Sequence, residues 1–145
     1  MDYSALATEL LEKMHSLHSA KPQKDLDDSL RGEAFVLHCI AHYGGAVTPG
    51  QIGDVMNVSS ARIAQTLNSI EKKGLITREI DVNDRRKVLV TLTPAGAKAA
   101  EEHLRTITEL ATKMLTLLGE EDAKEYVRIT GKLADIFERE SLCCN

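Results

Sequence analysis

The sequence predicts a mainly α-helical chain with one small β-hairpin, and two observations decide this fold class. Apolar side chains recur every three or four residues over most of the 145-residue chain, which is the period of amphipathic helices. From Leu75 to Leu92 the pattern instead alternates on both sides of a charged turn, as in two paired strands. The predicted order is two helices, a short strand, two short helices, the hairpin and two final helices.

Two helices are predicted in the first third of the chain. Leucine and methionine side chains form one apolar stripe over residues 4–18. Residues 19–28, which contain Pro22 and several charges, are interpreted as a connection. A second helix follows and ends at Gly44-Gly45, because glycine readily adopts the left-handed conformation that stops a helix.

Two short helices come next, and their ends are well marked. Thr48-Pro49-Gly50-Gln51 supplies an N-cap, a proline at the first helical position and the glutamine of a capping box. Ser59 is the predicted N-cap of the following helix, and Gly74 suits the left-handed position after that helix. Two short helices joined by a few residues form a helix-turn-helix.

The β-hairpin follows this helix-turn-helix directly. Residues 75–80 and 87–92 are the predicted strands, and residues 81–86 form the charged turn between them. A hairpin in this position is typical of a wing. Thr93-Pro94 then starts a long helix, and Gly119 separates it from a last one.

The formal net charge of -4 is unevenly distributed along the chain. Residues 59–98 contain eight basic and four acidic side chains, whereas the rest of the chain contains ten basic and 18 acidic ones. A basic segment within an acidic protein indicates a localised site for a polyanion. Aromatic residues make up only 3% and tryptophan is absent, which argues against single-strand binding by base stacking.

The helix after Ser59 has the short polar side chains that a helix needs to approach base edges in the major groove. Arg62 suits guanine, Gln65 suits adenine, and Ala61 suits a thymine methyl group. An ordinary solvent-exposed polar face is the alternative interpretation. The helix by itself leaves the two interpretations open.

The turn of the hairpin favours DNA binding. Its adjacent arginines suit the narrow minor groove, where a negative potential attracts a guanidinium. We expect Arg85 to insert and Asp84 to brace Arg86, whereas the alternative is a surface hairpin with ion pairs. The candidate DNA-binding residues are Ser59, Ser60, Ala61, Arg62, Gln65, Thr66, Asn68, Arg78, Asp84, Arg85, Arg86 and Lys87.

Three segments of this region carry a resemblance to a known family. They read LNSIEKKGLI at residues 67–76, DVNDRR at residues 81–86 and LTPAG at residues 92–96. They resemble the end of the recognition helix, the acidic-basic wing and the start of the fifth helix in the multiple-antibiotic-resistance regulator (MarR) family. The resemblance implies a homodimer of six-helix subunits that binds pseudo-palindromic double-stranded operators, usually as a repressor. It also implies release of DNA by a small aromatic or anionic effector.

The helices at both ends of the chain are the predicted dimerisation region. Their apolar stripes exceed what a compact helix-turn-helix with a wing can cover, so pairing with a second subunit is the economical solution. Such pairing places two reading helices about 34 Å apart, which is one turn of DNA. We therefore expect one subunit over residues 1–145, with a DNA-binding part at 34–98 and dimerisation parts at 1–33 and 99–145.

Histidines are the candidate ligand-binding residues. His15, His18, His38 and His42 lie on the first two predicted helices, and their spacings also permit zinc chelation, in which His103 can join. The second helix lacks the carboxylate and histidine pattern of zinc-sensing members of the family. No metal and no cofactor is therefore predicted.

Cysteines are the candidate residues for redox sensing, namely Cys39, Cys143 and Cys144. A sensor thiol needs solvent access and a lowered pKa. Cys39 is flanked by apolar residues and is predicted to be buried, whereas acidic neighbours of the terminal pair disfavour thiolates. A redox- or metal-responsive regulator of the same fold remains an alternative.

Other classes of protein are disfavoured. The chain has no Gly-rich phosphate loop, nucleophile elbow or HExxH motif, so we do not expect an enzyme. No apolar run reaches the roughly 18 residues of a membrane span, and the first residues do not resemble a signal peptide. We therefore expect a cytoplasmic protein without a membrane partner. A winged helix used only for protein association is a further alternative.

Overall fold

The computed structural model of the chain describes the backbone of residues 1–143 and the side chains of residues 1–140. Seven helices and two strands occur in this part of the chain. In order they are α1 (Tyr3–Ser19), α2 (Lys21–Ser29), α3 (Gly32–Tyr43), α4 (Pro49–Met56), α5 (Ser60–Lys72), β1 (Ile76–Ile80), β2 (Val88–Leu92), α6 (Pro94–Leu118) and α7 (Glu120–Cys143). The mainly helical fold class with one hairpin is confirmed, and the element order differs in two places.

The first difference is helix α2, because the predicted connection at residues 19–28 is wrong. Pro22 was interpreted as a loop residue, yet it lies in the first turn of α2. Proline is tolerated there, since the first N–H groups of a helix have no partner within the helix. The segment is also very polar, so it has no long apolar stripe from which a helix is predicted.

The second difference is the predicted short strand before the helix-turn-helix. In its place the structure has an isolated β-bridge between Val47 and Val90. The two residues exchange both backbone hydrogen bonds, with N···O distances of 3.1 and 2.8 Å. Both side chains are fully buried. One bridged residue is sufficient here because Pro49 already starts α4 two residues later.

The helix-turn-helix and the hairpin share one apolar core. Helices α3, α4 and α5 pack together and against the strands, and β1 pairs antiparallel with β2 from Ile76–Leu92 to Ile80–Val88. Helices α3 and α5 each contribute three side chains at helical spacing, whereas α4, β1, β2 and α6 contribute one each. The buried cluster comprises Val36, Leu37, Ile40, Val47, Ile52, Ile63, Leu67, Ile70, Ile76, Val90 and Ala100.

The start of α6 is fastened to the turn between α5 and β1. Thr93 donates its backbone N–H to the carbonyl of Leu75 at 3.0 Å and its hydroxyl to the carbonyl of Gly74 at 2.7 Å. A Cβ atom on Gly96 would lie only 1.8 Å from the carbonyl oxygen of Leu75. Gly96 is therefore required by close packing, and the LTPAG segment holds the hairpin against the first turn of α6.

The chain divides into two compact units, Met1–Thr108 and Glu109–Asn145. In the first unit α1 contacts α2 and has no buried residue, so its leucines and Met14 are exposed. In the second unit α7 has ion pairs Glu120–Lys124 and Glu125–Arg128 and an exposed apolar stripe. The predicted division of roles at residues 34 and 98 stays a prediction. Among the described residues, no helix has the length and apolar character needed to cross a bilayer.

Candidate nucleic-acid interface

Helix α5 is held by a tight turn and an N-cap. Asn57 ends α4 in the left-handed conformation with φ 51°, and Val58 donates its N–H to the carbonyl of Gly53 at 3.2 Å. The Ser59 hydroxyl then accepts a hydrogen bond from the Arg62 N–H at 3.3 Å. This cap confirms the predicted start of the helix. It satisfies one of the free N–H groups there and leaves the first turn at the protein surface.

The polar face of α5 lies opposite its buried stripe. Ile63, Leu67 and Ile70 are fully or almost fully buried, so they fix the rotation of the helix about its axis. The predicted base-reading residues on the other side are exposed except for Thr66, whose hydroxyl donates to the Arg62 carbonyl at 2.9 Å. The exposed ones in the first two turns are Ser60, Ala61, Arg62 and Gln65.

The turn of the wing is organised by two aspartates. Asp81 accepts the backbone N–H of Asn83 at 2.9 Å, and Asp84 accepts the backbone N–H of Arg86 at 3.1 Å. Asp84 also pairs with the Arg86 guanidinium at 3.1 Å, as predicted from the sequence. The Arg86 side chain, followed by its backbone N–H, holds the pKa of Asp84 below its ordinary value. At neutral pH the carboxylate is therefore ionised and accepts both of these hydrogen bonds.

Arg85 lies between these paired residues and differs from them. Its side chain is exposed, and it has no ion pair among the residues that the structure describes. Arg62 and Lys72 are likewise exposed and unpaired in the described part of the chain. These three cations, together with the exposed Lys87 and Lys98 of the same segment, are available to an external anion.

Two candidate DNA-binding residues, Arg78 and Asn68, are hydrogen-bonded to each other. Arg78 on β1 binds both carboxylate oxygens of Glu71, at 3.0 and 2.9 Å, and donates to Asn68 Oδ1 at 2.6 Å. The hydrogen bond from Arg78 is the main cause that lowers the pKa of Glu71. Sequence reasoning missed Glu71, because seven residues and a turn separate it from Arg78.

A second acidic residue braces α5 from another side. Glu33 in the first turn of α3 accepts hydrogen bonds from the Ser69 hydroxyl and the Lys73 ammonium, both at 2.5 Å. Lys73 is the main cause that lowers the pKa of Glu33. Its partners lie 36 and 40 residues away, so no local pattern indicates this contact. The C-terminal half of α5 is thus braced by acids and Arg78, whereas its N-terminal half has an open polar face.

The candidate ligand-binding histidines lie in two places. His38 and His42 line a cavity of about 440 Å³ with Phe35, Cys39, Tyr43 and Val55. His18 pairs with Asp27 at 3.2 Å, and the exposed His15 precedes it on α1. His103 instead contacts the Ser29 carbonyl at 2.8 Å. Among the described residues, no three His, Cys, Asp or Glu side chains are arranged to hold a metal ion.

A second cavity, of about 530 Å³, reaches the reading helix. Arg31 and Arg62 line it together with apolar side chains of Leu30, Phe35, Val55, Met56 and Val58. Its apolar walls and two guanidiniums suit a small organic anion. Arg31 was not among the predicted site residues, because most of the helix α2 that precedes it was predicted to be a connection.

Of the three candidate redox cysteines, the structure describes the side chain of Cys39. Cys39 is buried as predicted, and burial raises the pKa of its thiol. A raised pKa lowers the thiolate fraction, which is the opposite of what a sensor thiol needs. The side chains of Cys143 and Cys144 lie outside the described residues.

The helix-turn-helix, the wing and the exposed cations define a winged-helix protein with a surface for an anionic polymer. A sequence profile of the MarR family matches residues 25–87. The transcriptional regulator YwhA of Bacillus subtilis is 32% identical over 143 residues, which cover 92% of this chain and 99% of YwhA. The chain belongs to the MarR family of helix-turn-helix transcriptional regulators.

Two further similarities extend this assignment. The transcriptional repressor MdtR of Bacillus subtilis is 29% identical over 73% of this chain and 68% of MdtR. The crystal structure of Streptococcus pneumoniae FabT in complex with DNA superposes with a TM-score of 0.68 at 23% identity. That superposition covers 95% of this chain and 99% of FabT. The second similarity shows that the fold is shared over almost the whole chain.

Proposed function

We propose that the protein is a transcriptional repressor that binds a pseudo-palindromic DNA duplex as a homodimer and is released by a small organic anion. The observation that carries the proposal is the exposed polar start of α5 together with a wing whose Arg85 has no ion pair among the described residues. The name of MdtR and the DNA complex of FabT support it. Such a protein acts in the compartment that holds the DNA, which is the cytoplasm in a bacterium.

In this proposal α5 reads sequence in the major groove. The N-cap at Ser59 exposes the first turn, and Arg62 and Gln65 have the donor and acceptor groups that distinguish guanine and adenine. Backbone N–H groups at the start of a helix also attract phosphate. Sequence preference therefore depends on Arg62 and Gln65, whereas Ser60 contributes mainly to orientation.

The wing supplies affinity and a preference for groove width. The hydrogen bonds of Asp84 hold the turn in one conformation, so Arg85 is presented at little entropic cost. Because Arg86 is partly neutralised by Asp84, Arg85 is the better candidate for insertion into the minor groove. Lys87 is exposed after the turn and suits a phosphate.

The homodimer is supported by apolar surface that each unit leaves uncovered. Helix α1 exposes Leu6, Leu10, Leu11, Met14 and Leu17, each with more than 40% of its surface accessible. Helix α7 exposes Val127, Ile129, Leu133, Ile136 and Phe137. Stripes of this length on two helices mark an interaction surface, and a second copy of the chain covers equivalent stripes by symmetry.

The effector site in this proposal is the cavity that Arg31 and Arg62 line. A carboxylate there pairs with Arg62 and withdraws it from a base edge, so ligand and DNA compete for one side chain. The cavity of His38 and His42 lacks a fixed positive charge, and it is the competing location. Titration of benzoate against uncharged benzamide separates the two, because only the arginine cavity favours the carboxylate strongly.

Selection from a randomised 20-bp duplex library tests DNA binding and reveals the preferred sequence. We expect an enriched palindrome, and Arg62→Met lowers affinity for it about tenfold, with relaxed preference at one position of each half-site. Arg105→Met is the matched control, because Arg105 is exposed on α6 outside the candidate interface. Equal loss in both variants, or no enriched sequence, contradicts sequence-specific binding.

A further inference from the structure

The Arg78 cluster, which consists of Asn68, Glu71 and Arg78, joins the reading helix to the wing. Arg78 Nε donates to one carboxylate oxygen of Glu71 at 3.0 Å, and Nη2 donates to the other at 2.9 Å. Nη2 also donates to Asn68 Oδ1 at 2.6 Å. A bidentate guanidinium–carboxylate pair fixes orientation as well as distance, which a single hydrogen bond does not.

The cluster spans the turn between α5 and β1, which Thr93 also fastens to the start of α6. Lys73 ends α5, Gly74 follows at φ 74°, and β1 starts at Ile76. Two backbone hydrogen bonds close this turn, from the Gly74 N–H to the Glu71 carbonyl at 2.9 Å and from the Leu75 N–H to the Ile70 carbonyl at 3.1 Å. Glu71 and Asn68 lie on consecutive turns of α5, so Arg78 connects β1 to a length of helix.

Arg78 also lies at the centre of the hairpin. It is paired with Val90, whose side chain is fully buried and whose backbone forms the bridge to Val47. Strand β2 is thus bridged to Val47 at the residue that pairs with Arg78 of β1, and Arg78 in turn contacts α5. A displacement of the wing relative to α5 has to break the bidentate pair.

We propose that Glu71 and Arg78 are positioning residues that set the angle of the wing relative to the reading helix, so that both engage adjacent grooves together. This proposal rests on the proposed DNA-binding function. It assigns Arg78 and Asn68 to the geometry of the interface and not to phosphate contacts. It also makes an acidic residue necessary for binding a polyanion.

Substitution of Glu71 distinguishes a positioning role from a purely electrostatic one, because the two mechanisms predict opposite changes in DNA affinity. Glu71→Gln removes one negative charge from the basic segment. If charge alone matters, the variant binds DNA more tightly. If Glu71 positions the wing, the variant binds its preferred duplex more weakly, because the glutamine amide cannot replace a bidentate carboxylate.

The experiment measures fluorescence anisotropy with the duplex enriched by the wild-type protein and with a scrambled duplex. We expect Glu71→Gln to weaken binding to the enriched duplex about fivefold and to change binding to the scrambled duplex little. Glu79→Gln is the matched control. Glu79 is exposed on β1, the strand of Arg78, and has no ion pair among the described residues. Loss of its charge is therefore expected to leave DNA affinity unchanged or slightly higher.

A charge reversal separates positioning from phosphate contact at Arg78. The double variant Glu71→Arg with Arg78→Glu keeps a bidentate pair, and the Asn68 amide can rotate to donate to the new carboxylate. We expect it to bind the enriched duplex within about twofold of the wild-type affinity. A direct phosphate contact predicts no recovery, and Arg78→Met then lowers the slope of log affinity against log salt by about one.

The outcomes distinguish this inference from the function on which it rests. If the wild-type protein enriches no duplex, the proposed function fails. If it enriches one and Glu71→Gln binds equally well or more tightly, the positioning role is overturned and DNA binding stands. Thermal unfolding of each variant controls for loss of fold. If Glu71→Gln is unfolded, the charge-reversed pair decides, because recovery supports positioning and failure of that folded variant to bind contradicts it.

Discussion

The carboxylate of Asp84 accepts hydrogen bonds from both the backbone N–H and the guanidinium of Arg86, two residues further along the wing turn. Arg85, between them, is exposed and has no ion pair in the described part of the chain. Two adjacent arginines thus have different surroundings. Arg86 completes a small ring of hydrogen bonds that shapes the turn, whereas Arg85 has no carboxylate partner among the described residues.

This difference predicts unequal effects of the two arginines on DNA binding. We expect Arg85→Ala to weaken binding to an enriched duplex about tenfold and to reduce the salt slope by about one, since a cation that contacts DNA is removed. Arg86→Ala is expected to weaken binding less, and Asp84→Asn to resemble Arg86→Ala. Anisotropy titrations at several salt concentrations measure both quantities. A larger loss of DNA affinity from Arg86→Ala than from Arg85→Ala would show that Arg86 contacts the DNA and Arg85 does not.

Gly96 predicts a large loss of stability on a small substitution. The Cβ atom of Gly96→Ala would lie 1.8 Å from the Leu75 carbonyl oxygen, so the start of α6 has to move away from the hairpin. We expect a decrease of about 3 kcal/mol in the free energy of unfolding, measured in urea. Gly131→Ala on α7 is the control, because a Cβ atom there meets nothing within 4 Å. Alanine is the better helix former, so that variant is expected to be slightly more stable.

Glu33 predicts part of the acid sensitivity of the fold. Its pKa lies below its ordinary value of 4.5, chiefly because Lys73 and then Ser69 hydrogen-bond the carboxylate. A lowered folded-state pKa contributes stability that is complete above the unfolded-state pKa and is lost as the pH falls through the folded-state pKa. The contribution is about 0.5 kcal/mol, since both partners are partly exposed.

Urea unfolding between pH 7 and pH 3 measures this contribution. We expect Glu33→Gln to be less stable than the wild type at pH 7 and to lose less stability on acidification. Glu101→Gln is a suitable control, because Glu101 is exposed on α6 and has no ion pair among the described residues. If the unfolding free energies of the wild type and Glu33→Gln fall in parallel with pH, the acid sensitivity does not arise from Glu33.

The exposed stripe of α7 predicts the oligomeric state. Sedimentation equilibrium is expected to give a homodimer for the wild type. Leu133→Arg combined with Ile129→Arg is expected to shift the population to monomer, because charged side chains then replace the centre of an apolar stripe. Asp135→Arg introduces the same side chain on the polar side of that helix and is expected to remain dimeric. A monomeric wild type contradicts the proposed pairing.

Several parts of the site were predictable because their causes are local. The capping box of Thr48 and Gln51, the Ser59 cap and the Asp84–Arg86 pair each depend on residues two or three positions apart. The left-handed Gly74 follows equally from its place after a helix. Short-range contacts of this kind are selected by the backbone geometry that the same residues create.

Other parts depended on contacts that local spacing does not encode. Pro22 is typical of a connection by its local sequence, and Arg78 and Asn68 are typical of DNA-contacting residues when Glu71 is left out of account. In the structure Pro22 lies in the first turn of α2, and Arg78 donates hydrogen bonds to Glu71 across a turn. Whether a polar side chain faces solvent or a partner depends on which elements pack together, and this is not visible in a period of two or 3.6 residues.

The sequence by itself therefore determined the helix-turn-helix, the wing and the face of α5 that is exposed. Apolar period, caps and glycines specify these features within a few residues. Only the tertiary structure decided which cations remain available to DNA. Glu33 reaches Lys73 across 40 residues, and Glu71 reaches Arg78 across the start of the wing, so both basic residues are paired. Arg62 and Arg85 have no such ion pair among the described residues, and both stay exposed to solvent.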